Sequence, residues 1–383
     1  MNTHSNDKAC LKQGFDLAFD LTFVLAATQG QVLSEKAKVF NGVGTDSRVN
    51  LDQKLFIPLI GENFDGHDYL EGALQKGASG ILVHDKNKVT ANCLKNMTVI
   101  WVPDTLKGLQ QLGHGWRKKQ KAKILALTGS NGKTTTKEFV ATLLKSEFCT
   151  QFNKGSFNNH WGVPLNLLEL DSSHERCVVE MGMNHAGEIA DLVKIADPDI
   201  VMCTTVGKAH IEAFGSIEKI AQAKQEIYKE AGPEAIRIYN LDNPFTLKMY
   251  EEEKRQFTNN NVDANRVDVN NTYAKGRIFC FSSVHSNAEV SFRLLEAQAN
   301  YLAFEGHIGR VKGQAKVNIF GVQNINNLMA AATMAYAAGL SPEKIWQALP
   351  LCQTTWGRNQ WVKLKSGAQM IFDGYNANPD SMS

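Results

Sequence analysis

Ile124-Leu125-Ala126-Leu127, then Thr128-Gly129-Ser130-Asn131-Gly132, then Lys133-Thr134-Thr135 is the stretch whose reading decides the fold. The apolar run is a short buried strand, the glycine-bearing segment a turn, and a helix follows from about Lys133 to Lys145. Such a turn lets backbone N–H groups face inward around phosphate oxygens, with the positive end of the helix dipole behind them. Lys133 adds a full charge, and the Thr134 hydroxyl suits a magnesium ion that accompanies a nucleotide. Gly129, Asn131, Gly132, Lys133, Thr134 and Thr135 are therefore candidate nucleotide-binding residues. The spacing departs from the longer standard phosphate loop, because Leu127 stands where its first glycine would be. Glycine turns before helices also occur with nothing bound; an apolar strand before and a one-faced helix after favour the phosphate reading.

Outward from this unit the same order returns. Cys177–Met181 and Ile200–Thr204 read as buried strands, separated by a helix at about Glu188–Ile195 that stops before Asp197-Pro198. Alternation of this kind implies a mostly parallel sheet covered on both faces. From Val267 to Phe320 the period changes to two, as in Glu289–Leu294 and Lys316–Phe320, so antiparallel strands add to an edge. Helices resume at Ile325–Ala338, closed by Gly339, and after Ser341-Pro342. Upstream, Lys54–Ile60 reads as a strand, Tyr69–Lys76 as a helix ended by Gly77, and Gly80–Val83 as a strand. Phe15–Ala27 reads as an amphipathic first element, because Asp16 and Asp20 interrupt it and no basic leader precedes it. The expected fold is α/β. Residues 1–14 form a disordered leader, 15–115 a small N-terminal α/β domain, 116–352 a central phosphate-loop domain, and 353–383 the beginning of a further domain.

With 41 basic and 39 acidic side chains in 383 residues the net charge is +2, so no global field draws the chain to nucleic acid or an anionic membrane. Hydrophobic residues at 43% and charged residues at 21% are the balance of a soluble globular protein. The seven cysteines are scattered and form no CxxC pair, which reads as reduced thiols in a cytoplasmic protein without zinc.

Three further residues carry chemistry. Glu180 closes an apolar strand, at the edge where parallel sheets bind ligands, and its oxygens suit magnesium. His210 follows the next strand by a few residues and reaches the same edge, although a lone histidine is also a common structural residue. Lys224 falls within the apolar stripe Ile217, Ile220, Ala221, Ile227, Tyr228 of a helix that begins near Ser216. It either snorkels to water or points inward because chemistry has removed or inverted its charge, since a buried unpaired ammonium is costly.

Together these residues resemble the Mur ligase family. Thr128 to Thr136 is similar to its phosphate loop, Phe157-Asn158-Asn159-His160-Trp161-Gly162-Val163-Pro164 to its substrate loop, and Val179-Glu180-Met181-Gly182, Gly207–Glu226 and Asp373-Gly374-Tyr375-Asn376-Ala377-Asn378-Pro379 to later blocks. The likeness runs from about Phe15 to Ser383. In detail it points to the member that joins D-alanyl-D-alanine to a UDP-N-acetylmuramoyl-tripeptide through an acyl phosphate, with ATP and Mg2+, as a cytoplasmic monomer. It implies a small UDP-binding first domain, a central ATPase domain, and only the start of a Rossmann-like third one. By resemblance, Lys133, His210 and Lys224 are catalytic; Thr134, Glu180, His210 and a carbamylated Lys224 hold metal. Asn324, Asn327, Arg358 and Asp373 meet the nucleotide. Ser47, Arg48, Asp65 and His67 meet the uridine diphosphate, and Asn158 and Asn159 the peptide substrate.

Gln323 departs from the family's histidine beside Asn324, and Gly374 from its small side chain after Asp373. The block at Asp373 opens a long third domain in the family, and the chain stops soon after it, so a fragment or a catalytically impaired truncation is one expectation. Two other readings stand: another ligase of the family, acting on a shorter muramoyl peptide or on folate, and a non-enzymatic nucleotide-binding module.

Overall fold

The computed structural model describes residues 18–153, 155, 157–259 and 278–375. The expected leader, residues 15–17 of the first element, Asn376–Ser383 and the start of the period-two region therefore lie outside the described residues. The described residues divide into two compact units, one running up to Lys121 and taking in 160–173, the other made of 122–159 and the described residues from His174 onward.

The first unit carries a five-stranded sheet whose core strands are Leu55–Phe56, Gly80–Val83 and Thr98–Trp101. The strand expected over Lys54–Ile60 is broken in two: Leu55–Phe56 pair within this sheet and Ile60 pairs with Asp65 in a separate hairpin, with Pro58, which has no N–H to donate, between them. The expected amphipathic first element is a strand, Ala18–Asp20, running into a helix, Leu21–Thr28. Asp20 is no polar face there: its carboxylate caps the helix by accepting from Phe23 N at 2.6 Å. A helix, Thr105–Lys119, runs straight through residue 115 and carries this unit on to Lys121, beyond the boundary expected from the sequence. The segment 160–173 joins the unit because its helix Gly162–Leu168 packs on Thr105–Lys119. A Cβ on Gly113 would lie 2.7 Å from Pro164 Cβ, so glycine permits that approach.

The second unit is built on nine strands: β1 (Lys123–Thr128), β2 (Thr150–Phe152), β3 (Arg176–Glu180), β4 (Ile200–Cys203), β5 (Ile236–Asn240), β6 (Ile278–Phe281), β7 (Val290–Gln298), β8 (Tyr301–Ile308) and β9 (Val311–Val317). Their order is β2-β3-β1-β4-β5-β6-β7-β8-β9. Pairing is parallel as far as β7, and β7, β8 and β9 are antiparallel, as the change of period implies. The last strand ends at Val317 instead of reaching Phe320, where a tight turn brings Ile319 N onto Val317 O. Helices α1 (Lys133–Leu144), α2 (Glu188–Ala196), α3 (Ile217–Lys229) and α4 (Asn324–Ala337) cover the sheet. Leu125, Leu127, Val178 and Met202 from the strands, Phe139 and Leu143 from α1, and Leu328, Met329 and Ala332 from α4 fill one core. Burial on this scale fixes the strand ends, and with them the loops that leave those ends.

Candidate active site

The register of three adjacent strands sets the site. Leu127 of β1 pairs with Glu180 of β3, and Thr128 with Cys203 of β4. The loop after β1 is therefore flanked by Glu180 on one side and Cys203 on the other, at the carboxyl edge of a parallel sheet where ligands bind.

The segment Thr204–Gly207, just beyond β4, holds that loop in place. Ser130 N donates to Thr205 O at 2.8 Å, Gly207 N donates to Ser130 Oγ at 2.8 Å, and Thr204 Oγ1 donates to Asn131 O at 2.7 Å. Gly132 opens α1 with φ +79°, in the left-handed region that glycine enters without penalty. Thr134 and Thr135 are buried in the first turn of that helix. Lys133 Nζ folds back on the loop and donates to Gly129 O at 2.8 Å, the place a phosphate would compete for.

Glu180 is 1% exposed. Its Oε1 accepts from Asn158 Nδ2 at 2.7 Å, while Oε2 is buried without a hydrogen-bond partner. An orphaned buried carboxylate oxygen is costly unless a cation meets it, so the residue fits a magnesium ligand. Among the described residues no three His, Cys, Asp or Glu side chains converge as a ready-made metal site.

Lys224 points inward. It is 2% exposed, and among the described residues its ammonium has no hydrogen-bonded or ionic partner. Burial, then repulsion from Lys133, brings its pKa down to about 7. The same charges reach His210, whose pKa falls below the usual value through desolvation and then Lys133 and Lys224. His210 has φ +65°, uncommon for a side-chain-bearing residue and characteristic of functional corners. Lys133 is in turn held low by burial against the attraction of Glu180, with Arg358 adding repulsion. Lys133 thus lies within electrostatic reach of Glu180, His210, Lys224 and Arg358.

Asn327 lies against the loop, where a Cβ on Gly132 would be 2.3 Å from its Oδ1. Asn324 is buried, donates to Phe320 O at 2.8 Å and accepts from Asn327 Nδ2 at 2.9 Å, so its side chain orients Asn327. Asp373 accepts from Asn359 N at 3.2 Å, and Arg358 lies over the Tyr375 ring. Asn159 is half-buried beside Asn158.

In the first unit the Arg48 guanidinium is open to solvent and forks onto Asp46, whose pKa it draws down to about 2; Ser47 lies between them. His67 differs from expectation. Its ring is buried, Nδ1 meets Asp65 at 2.7 Å, and Nε2 accepts from His84 N at 3.3 Å, which leaves neither nitrogen for a ligand. Asp65 is engaged by Lys88 as well, and these partners hold its carboxyl well below the usual range although burial alone would raise it.

Sequence reasoning missed Lys137 and Asn153. Lys137 is fully buried, and Asn153 accepts from Glu180 N at 3.3 Å. The signal was present: Lys137 follows Lys133 by one helical turn and shares a stripe with Val140 and Leu144, the same anomaly that singles out Lys224. Cys93, Cys177, Cys203, Cys280 and Cys352 are free and buried. Among the described residues no helix is long and apolar enough to cross a membrane.

Residues 127–335 match the model of the Mur ligase middle domain, and residues 39–117 that of the Mur ligase family catalytic domain. The UDP-N-acetylmuramoyl-tripeptide--D-alanyl-D-alanine ligase of Bacillus subtilis is 33% identical over 344 residues, covering 90% of this chain and 69% of that protein. A crystal structure of MurF from Acinetobacter baumannii superposes with a TM-score of 0.83 at 30% identity, over 95% of this chain and 75% of the other. MurF ligase from Thermotoga maritima in complex with ADP gives 0.72 at 25% identity, over 89% and 72%.

Proposed function

We infer the activity from one premise: this chain belongs to the Mur ligase family, and it is an ATP-dependent ligase that forms an amide bond. It joins D-alanyl-D-alanine to UDP-N-acetylmuramoyl-tripeptide, giving the pentapeptide precursor of peptidoglycan. Its reaction suits the cytoplasm, where both ATP and the UDP-linked substrate are at hand, and needs only one copy of the chain.

The observation that carries the residue-level reading is the charge cluster centred on Lys133. Phosphoryl transfer from ATP to the tripeptide's terminal carboxylate gives an acyl phosphate and ADP; the amine of D-alanyl-D-alanine adds to the acyl carbon, and phosphate leaves as the amide forms. Lys133 exchanges Gly129 O for phosphate oxygens and tracks the charge that grows on them. Glu180, Thr134 and His210 are the residues that would hold magnesium, which when bound supplies Lewis-acid charge at the transferring phosphoryl group. Lys224, with a pKa near 7, has a substantial neutral fraction at physiological pH, the form that adds carbon dioxide and loses a proton to become a carbamate. Asn327 and Asn324 shape the nucleotide side of the loop, with Arg358 and Asp373 beyond it, while Arg48 and Ser47 offer the first unit's diphosphate contact. Asn158 and Asn159 border the acceptor peptide.

Phosphate release is the test. With UDP-muramoyl tripeptide and ATP, release should depend on added D-alanyl-D-alanine; release indifferent to the dipeptide rejects the assignment.

A further inference from the structure

The Lys137 ammonium is wholly buried, yet its three protons are all accounted for. Nζ donates to Asn153 O at 2.6 Å and to Gly155 O at 2.8 Å, and pairs with Glu138 Oε1 at 3.1 Å. The two carbonyls belong to the segment that leads to Asn158, whereas Lys137 itself belongs to the helix that starts at the phosphate loop. Asn153, so held, uses both ends of its amide: Nδ2 donates to Phe157 O at 3.0 Å, and Oδ1 accepts from Glu180 N at 3.3 Å. Asn158 completes the circuit by donating to Glu180 Oε1, while its own carbonyl accepts from Gly182 N at 2.7 Å. Glu180 is thereby fixed through its main chain and one carboxylate oxygen, and only Oε2 is left to face a ligand.

A lysine is an expensive residue to bury, and an apolar side chain would fill the same space with less desolvation. Its position makes sense as a tie between two loops that must act together. We propose that Lys137 is a positioning residue: through Asn153 and Asn158 it holds the free Glu180 oxygen in register with the phosphate loop, so that nucleotide and metal bind cooperatively. The proposal rests on the ligase reading, and concerns the coupling of two ligands within that site.

Calorimetric titration of the full chain with ADP, with and without Mg2+, tests it. Wild type should bind ADP more tightly when Mg2+ is present. Lys137→Met should bind ADP alone within about twofold of wild type but lose about tenfold or more of the metal enhancement, the range seen when groups behind a metal ligand are removed. Metal-free ADP binding certifies that the loop is folded. If Lys137→Met does not fold, Asn153→Ser carries the test, since it leaves the lysine in place and breaks the link to Glu180. Retention of the full enhancement by either folded variant overturns the proposal. A wild-type chain that binds no ADP removes the ligase reading as well, and so is distinguishable from failure of the Lys137 tie alone.

Discussion

Gly132 and Asn327 meet at the head of the phosphate-loop helix so closely that a Cβ on the glycine would lie 2.3 Å from the asparagine Oδ1. Asn327 is itself oriented by its bond to Asn324, so the loop and the start of α4 are one surface. Gly132→Ala would meet two costs: about 1–2 kcal/mol for a left-handed residue with a Cβ, and displacement of Asn327. We expect ADP affinity to fall about tenfold or more, equivalent to roughly 1.4 kcal/mol. Gly187 is the control, since it has φ +90° and nothing near its would-be Cβ. Gly187→Ala should lower the melting temperature with ADP affinity unchanged. Equal ADP binding by the two variants would show that the loop does not cradle phosphate.

The unpaired Glu180 oxygen makes a second prediction. A buried carboxylate with one satisfied oxygen is poorly solvated without a cation. Glu180→Gln should therefore leave the metal-free protein as stable as wild type, or stabler by about 1–3 kcal/mol, while abolishing the further rise in melting temperature that Mg2+ and ADP together produce. Thermal shift measurements in the four conditions decide it; an undiminished metal response in the variant excludes Glu180 as a ligand.

The strand before the phosphate loop, the helix after it and the parallel partners of that strand were legible because each is written in local periodicity, and the register then brings Glu180 beside Leu127 without further information. Lys224 was legible as a charge in an apolar stripe. The features that stayed hidden depend on distant partners. The burial of His67 comes from Asp65 and the main chain of His84. The membership of 160–173 in the first unit comes from Pro164 meeting Gly113, an approach no spacing encodes. The role of Asp20 was masked by its place between a strand and a helix, where a capping residue looks like a break in an apolar run.

The first unit offers a contrast between two basic groups. Arg48 is solvent-exposed and preorganised as a fork by Asp46, whereas His67 is internal. Arg48→Ala should weaken UDP binding about tenfold, and Arg48→Lys should fail to restore it, because a point charge cannot replace a bidentate donor. His67→Ala should lower stability by about 1–3 kcal/mol through the partners it strands, with UDP affinity within about twofold. Chemical denaturation and UDP titration separate the two. A selective loss of UDP affinity in the histidine variant would mean that its ring turns outward when substrate binds.

Lys224 links stability to catalysis with opposite signs. Its folded-state pKa, about 7, lies below the ordinary lysine value of 10.5, so between these two values the unfolded chain binds more protons than the folded one. Stability must then rise as pH climbs from about 7 toward 10.5, and the charged form is a burden at lower pH. Lys224→Met removes that burden, and should stabilise the protein by roughly 1–4 kcal/mol at pH 6, as replacements of buried charges often do. The advantage should shrink as pH rises. The substitution should have the opposite effect on activity: the methionine variant is inactive, whereas wild-type activity climbs through pH 7, together with stability, as the neutral amine becomes available to carbon dioxide. Bicarbonate added to carbonate-depleted enzyme should restore activity, and a carbamate carbon should appear by NMR with labelled bicarbonate. Denaturation curves across pH check the first half. A variant no stabler than wild type at pH 6 would mean the lysine is not an isolated buried charge, and full activity without the amine would eliminate the carbamate.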